Sequence, residues 1–269
     1  MSLFGEAKQL FAESASTNDF ISLDANIRIK EKLKEHILHK PFQILLLTGA
    51  PGVGKTYVAE NLTEELGSSK VYFQKFPFAT TVGFLSAVHS HFLPHVSLPE
   101  PCHRESLLAS FKEHLAGSYI PAIIVDEIQL YKDEELEIIR MLSDTRLFRF
   151  IFIIHKLERQ NLLAQSYFVS RTWGSLELEG LTPLESKLFI TQKLTQNGLK
   201  ESLPWLKNRQ YSLLYKLSEG NLRVLCKLCY TMFEICEHYE SHAPSLLAND
   251  TVPLRFIEMA ALDLGVLHE

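Results

Sequence analysis

No stretch of this 269-residue chain holds the roughly 18 consecutive apolar residues that cross a bilayer. The opening, MSLFGEAKQLFAESAS, has no basic segment leading into an apolar one, so the pattern of an export leader is missing. Both absences predict a cytoplasmic protein whose membrane contacts, if any, run through a partner. An excess of basic residues is missing as well: 27 Lys and Arg stand against 32 Asp and Glu, a formal charge of −5. That excludes a chain cationic throughout, though not a local basic patch. Internal repeats and low-complexity tracts are absent.

Cysteine is scarce. Of the four, Cys226, Cys229 and Cys236 fall in LCKLCYTMFEICEH, beside His238. Ligands strung along one straight helix cannot surround an ion. Leu222, Leu225, Cys229, Met232 and Cys236 recur on one helical stripe, so these thiols are expected to pack a core. His89, His91 and His95 lack the spacing of a zinc motif and are expected near a surface helix end.

What is present suits a folded chain of one large or two smaller domains, with 46% hydrophobic and 22% charged residues. The run DANIRIKEKLKEHIL predicts an amphipathic helix over 24–38, with Asp24 as its N-cap. Apolar runs then alternate with helical patterns. QILLLTG, KVYFQKF, PAIIVDE, RFIFII and SLELEGL read as strands. Helices are expected over KTYVAENLTEEL, around 80–92 and 103–116, and over DEELEIIRMLSD. This alternation predicts a parallel sheet covered on both faces. From Leu181 onward every periodic segment is helical, which sets a domain boundary there.

TGAPGVGKT follows the first strand and opens a helix. It fits G-x-x-x-x-G-K-[ST] through Gly49, Gly54, Lys55 and Thr56. Glycines there let backbone N–H groups approach phosphate oxygens. The helix N-terminus adds favourable partial charge. The expected ATP-binding residues are Gly49, Ala50, Pro51, Gly52, Val53, Gly54, Lys55, Thr56 and Tyr57. Lys55 is expected on the β and γ phosphates and the Thr56 hydroxyl on Mg²⁺. AIIVDE ends a later strand with Asp126 and Glu127. Ligands of an open parallel sheet sit beyond the carboxyl ends of its strands, so loop and acids share one rim. Asp126 is the expected second Mg²⁺ anchor and Glu127 the expected base for the attacking water.

An N-K-x-D base reader and an LSGGQ-like signature are both absent, which argues against GTPase and ABC-type readings. QSYFVSRTWGSLELEGL places Arg171 just before the last strand, and LSEGNLRVLCKLC places Gly220, Asn221 and Arg223 at a helix start. With the two nucleotide motifs, this arrangement resembles the AAA+ ATPases over about residues 20–240. The resemblance implies an α/β P-loop NTPase with a three-layer parallel sheet in the order 5-1-4-3-2, followed by an all-helical lid. The segments would be an N-terminal arm over 1–23, a nucleotide-binding core over 24–180 and a lid over 181–269. It implies catalytic roles for Glu127, Lys55, an arginine finger at Arg171 acting on a neighbour, and a lid arginine at Arg223. The family's polar residue at the end of the fourth strand falls here on His155 or Lys156, neither of them the usual Asn, Ser or Thr, which puts the pace of hydrolysis in question. A homo-oligomer follows, a hexameric ring being one option.

Within that family, the D-E-I-Q stretch Asp126–Gln129 and the leucine-rich helix after it are similar to ExeA/MshM-type ATPases, cousins of the TniB and MuB transposition ATPases. The sequence shows neither the added peptidoglycan-binding domain nor the membrane span of ExeA, so an MshM-like member is expected. Two readings stay open. One is an ATPase that remodels a protein assembly such as a secretion or type IV pilus system. The other is a DNA-associated ATPase, a transposition regulator, loader or initiator-like protein. Arg28, Lys30, Lys32, Lys34 and Lys40 offer positive charge, but Glu31 and Glu35 sit among them. Residues 181–269 hold nine Lys/Arg and ten Asp/Glu, which is no basic clamp. For RFIEMAAL near the end, a final packing helix and a docking segment are both open.

Overall fold

A strand of uninterrupted apolar residues cannot leave one face in water, so ILLL and AIIV belong in the middle of a sheet covered twice. The computed structural model describes residues 2–12, 21–115, 117, 119–158, 166–247 and 251–266. In chain order they form α1 (Leu3–Leu10), α2 (Asp24–His39), β1 (Ile44–Gly49), α3 (Lys55–Leu66), β2 (Val71–Gln74), α4 (Thr81–Phe92), α5 (Arg104–Leu115), β3 (Ala122–Val125), α6 (Asp133–Asp144), β4 (Arg149–His155), α7 (Ser166–Val169), β5 (Thr172–Glu177), α8 (Pro183–Gln196), α9 (Asn208–Ser218), α10 (Leu222–His242) and α11 (Leu254–Asp263). The chain divides into two compact units.

The first unit comprises residues 26–51 and 55–178. Its five strands are parallel in the order β2-β3-β4-β1-β5. From the other edge this is the expected 5-1-4-3-2. Ile44, Leu46, Ile123, Val125, Phe150 and Phe152 pack in one cluster with Phe84, Leu85 and Val88 of α4, Phe111 of α5, and Leu136 and Ile139 of α6. Leu45, Leu47 and Ile151 point the other way by strand alternation and are just as buried. Both faces are therefore covered.

β5 runs over Thr172–Glu177, three residues ahead of the start that the SLELEGL pattern suggests. It is an edge strand, paired only with β1, and none of its residues is fully buried. The apolar signal that marks a central strand is consequently missing from its first half.

The second unit comprises residues 1–25, 52–54 and 179–269 and is helical. Phe4 of α1 and Phe11, its C-cap, join Phe189, Leu214, Leu225, Phe233 and Phe256 in one core. The Phe4 ring lies 4.1 Å from Trp205 and the Phe11 ring 5.8 Å from Phe233, centroid to centroid. Lys8 adds an ion pair to Glu237 at 2.7 Å. Cys229 and Cys236 sit fully buried on the apolar stripe of α10, and burial pushes the Cys236 thiol up to about 12. RFIEMAAL forms most of α11, with Phe256, Ile257, Ala260 and Ala261 buried and the Phe256 ring stacked on Tyr239. It is a packing helix. Among the described residues, no helix is long and apolar enough to cross a membrane.

Asp24 does not cap α2 as expected. It is the first helical residue, and the next N–H, that of Ala25, donates to Glu185 Oε1 at 3.0 Å. Glu185 is the third residue of α8. Its other oxygen accepts the Thr182 N–H at 2.9 Å, closing that helix's own capping box. One carboxylate thus serves two helix starts.

Gly220 ends the turn from α9 to α10 with φ +76, and a Cβ there would lie 2.2 Å from the Leu181 carbonyl oxygen. Gly198 has φ +83 with nothing within 4 Å. Both substitutions carry backbone strain; only the first adds a clash with rigid backbone. In denaturant titrations, Gly198→Ala is expected to cost about 1 kcal/mol and Gly220→Ala at least about 2–3 kcal/mol more. Equal costs would show that the Leu181 contact carries no weight.

Candidate functional site

The loop after β1 turns through two left-handed glycines, Gly52 at φ +80 and Gly54 at φ +103, before α3 starts at Lys55. Ordinary residues reach such φ only under strain. In the helical unit, a Cβ on Gly52 would fall 2.6 Å from the Asn221 Oδ1 and 3.0 Å from the Arg223 Cβ. There the Gly52 carbonyl accepts the Arg223 N–H at 3.0 Å, and Asn221 caps α10 by accepting the Val224 N–H at 3.2 Å. The loop centre and the G-N-L-R turn are thus packed together within one unit. The Arg223 side chain is exposed.

Lys55 is only 5% exposed, and its Nζ donates to the carbonyls of Gly49 at 3.1 Å and Ala50 at 3.0 Å. Thr56, one residue into α3, donates its hydroxyl to Asp126 Oδ2 at 2.7 Å. Asp126 stands just past β3, where its N–H donates to Gln74 O at 2.9 Å and carries the ladder one step further. It is 3% exposed, and burial raises its carboxyl above the usual range against the pull of the Thr56 and Glu127 donors.

Glu127 has φ 47 and donates its own N–H to Asp126 Oδ1 at 2.9 Å. The Glu127 carboxylate meets His155 Nε2 at 3.2 Å and accepts a hydrogen bond from the Gln129 amide. His155 is the last residue of β4 and pairs in register with Gly49. Of the two candidates at that strand end, His155 faces the acidic pair; Lys156 instead reaches Glu177 at 2.6 Å.

The structure brings Lys55, Thr56, Asp126, Glu127 and His155 to one rim of the sheet. It leaves Arg171 at the opposite end of β5, held bidentately by Asp144 at 2.6 and 3.0 Å. Two contributors were missed in the sequence. Gln129 lay in the motif, but its grip on Glu127 depends on the tight turn after β3. The Asn221 clasp at Gly52 joins segments far apart in the chain, and no local pattern encodes that. Among the described residues, no group of three or more His, Cys, Asp or Glu is placed to hold a metal by itself.

The raised carboxyl of Asp126 has a stability consequence. Between the ordinary aspartate value and its raised folded value, the folded state binds more protons than the unfolded one, so stability is lost as pH rises through that window. In metal chelator without nucleotide, Asp126→Asn is expected to melt at a higher temperature than wild type near neutral pH. The gap should narrow as pH falls into the window. A lower melting temperature at every pH would show that the ionised form is the better fit.

Comparison with known proteins bears on this geometry. Residues 39–163 match a family described as an AAA domain. No curated protein matches the chain in sequence. Among solved structures, it resembles the Drosophila ORC bound to DNA, at 12% identity and TM-score 0.65, covering 98% of this chain and 66% of that one. It resembles the Aeropyrum pernix ORC2 protein in its ADPNP–ADP complexes at 14% identity and TM-score 0.64, over 95% of this chain and 71% of that one. It also resembles the Aeropyrum pernix ORC1 protein in complex with DNA at 18% identity and TM-score 0.62, over 96% of this chain and 69% of that one. The chain thus spans about two thirds of the length of these relatives in fold. The strand order, the loop–helix junction and the structural likeness agree on the AAA+ fold, and residues 39–163 are similar to an AAA domain.

Proposed function

We propose that this chain binds ATP with Mg²⁺ on the loop Gly49–Tyr57 and hydrolyses it, in the service of a DNA-associated assembly. The observation that supports the ATPase reading best is the convergence of Thr56, Asp126, Glu127 and His155 at one strand rim. A hydroxyl and a carboxylate 2.7 Å apart make a hard oxygen donor pair of the kind Mg²⁺ takes. Burial raises the Asp126 carboxyl by disfavouring its charged form, so it gains from a cation beside it. Bound there, Mg²⁺ would neutralise charge on the phosphates.

The chain's own groups do the rest. Lys55 exchanges its loop carbonyls for phosphate oxygens, and the amides at the start of α3 point at the same anion. Glu127 accepts the proton of the attacking water. His155 and Gln129 hold that carboxylate meanwhile, and one of them must loosen for it to act. Arg223 carries over from the family resemblance as a second cation for the nucleotide. Arg171 stands a strand length, roughly 20 Å, from Asp126, so its service is to a neighbouring copy. The working form is then an oligomer.

The choice of assembly follows from coverage. The likeness to ORC structures solved with DNA extends over 96–98% of this chain. The ExeA/MshM resemblance, which points to a secretion or pilus complex, rests on the motif segments alone. Duplex DNA mobility shifts with and without ATP, across salt, separate the two. Binding that weakens steeply with salt is expected; absence of any shift at low salt in both nucleotide states returns the reading to a protein assembly.

Lys55→Ala is expected to lose ATP binding in a filter or fluorescence assay. Glu127→Gln should retain binding and lose at least about a hundredfold in turnover. Mixing Arg171→Ala with Glu127→Gln subunits should restore part of the turnover that neither shows alone. Failure of the mixture to recover, with both variants folded and binding ATP, removes the shared-site claim and leaves the ATP site standing.

A further inference from the structure

A cavity of about 480 Å³ opens at the amino ends of β1, β4 and β5, the rim opposite the one that carries Asp126 and Glu127. Its lining includes Phe42, Arg146, Arg149, Arg171 and Trp173, and no carboxylate among the described residues. Three guanidinium groups around one opening are unusual in a chain of net charge −5.

Arg149 and Arg171 are held by their surroundings. Arg149 heads β4, with its guanidinium carbon 5.8 Å from the Phe42 ring centre and 5.9 Å from that of Tyr119. It donates to the Ile37 carbonyl, while its Nε–H is buried without an acceptor. Arg171 is fixed by Asp144, a carboxylate that also takes Arg140. Arg146 follows α6 in the left-handed region, at φ 57. Glycine takes that conformation freely and arginine does not, so the position bears a backbone cost with a cation on it. Trp173, next to these groups on the edge strand, leaves its side chain 58% exposed.

Guanidinium groups match phosphate in plane and charge, and the neighbouring carboxylates Asp144 and Glu137, both of which also pair with Arg140, do not cancel three of them. An exposed indole beside them offers a flat face to a base. An acidic peptide would use the arginines and leave the indole idle. A volume within about 300–1,000 Å³ suits a single small unit better than a duplex, whose base faces are already stacked. We infer that this cavity binds a nucleotide unit of single-stranded nucleic acid, its base against Trp173 and its phosphate among Arg146, Arg149 and Arg171. The inference rests on the nucleic-acid part of the reading above; it shares Arg171 with the interface role proposed there and leaves the Gly49–Tyr57 loop untouched.

The chain has two tryptophans, so Trp205→Phe leaves Trp173 as the sole indole reporter. Titrating that variant with a short oligothymidylate should quench its fluorescence, less so as salt rises. In the wild-type background, Arg146→Gly and Trp173→Ala should each weaken binding of labelled oligothymidylate about tenfold by anisotropy, with ATP binding unchanged. Arg146→Gly relieves the left-handed backbone, so loss of folding is not an escape. Equal oligonucleotide affinity in wild type and both variants would place the strand elsewhere and overturn the site. No binding at low salt, with ATP binding intact, removes the inference while sparing the ATPase reading. Quenching by polyglutamate but not by oligothymidylate assigns the cavity to an acidic peptide, and thymidine monophosphate binding as tightly as the oligonucleotide assigns it to free nucleotides. Either result overturns the proposal.

Discussion

The hydroxyl of Thr56 on the carboxylate of Asp126 ties the start of a helix to the end of a strand two places away in the sheet. That contact exists because β4 lies between β3 and β1, ends level with β1 and runs past the end of β3. Val125 pairs with Phe152, and Gly49 with His155. β3 therefore stops three residues short of the end of β4. The two acids that follow it turn upward beside the overhang, and His155 at its tip meets Glu127. A shift of one residue in that register would move every β4 side chain to the opposite packed face, into space shaped for another residue, and carry His155 away from the acid. The position of the chemistry is thus enforced by the burial of Phe150 and Phe152, far from any polar group.

The same rim concentrates backbone cost. Glu127 adopts a left-handed conformation that an ordinary residue takes at about 1 kcal/mol or more. The step lets two adjacent acids serve one rim: Asp126 stays buried on Thr56, and Glu127 reaches His155 and Gln129. Without it, two carboxylates at consecutive extended positions would face opposite sides of the sheet. The strain is repaid by Asp126 Oδ1, which accepts the Glu127 N–H and closes the turn. Local geometry here is set by what the side chains must reach rather than by what the backbone prefers.

How much of this was legible depends on the range of the interactions involved. The central strands were readable because burial on both faces demands continuous apolar residues, as in ILLL, AIIV and FIFII. The bounds of α3 and α6 were readable because a glycine loop and an acidic first turn announce them. The start of β5 was hidden, since an edge strand tolerates Thr172, Trp173 and Gly174 and leaves no run. The capping of α2 was misread because Asp24 is a good local candidate and the actual acceptor, Glu185, lies 160 residues away in sequence. For the site, the motif spacing gave the loop and the acids. The grip of His155 on Glu127 was out of reach, because it follows from how far one strand overshoots another.

Net charge is a poor guide to partners for a related reason. Several of the chain's acids are spent on its lysines: Glu65 takes Lys30 and Lys34, Glu237 takes Lys8, and Glu177 takes Lys156. Such exposed pairs cancel within a screening distance of about 8–10 Å and leave little field outside it. Arg146, Arg149 and Arg171 lie around one opening whose lining holds no carboxylate among the described residues, and Asp144 and Glu137 beside Arg171 also serve Arg140, so their field does not cancel locally. A total of −5 is the sum over both kinds of surface and describes neither. The acidic composition that argued against nucleic acid at the level of the whole chain therefore has no bearing on one rim of one sheet, where the charges that matter are those within a screening length of the bound phosphate.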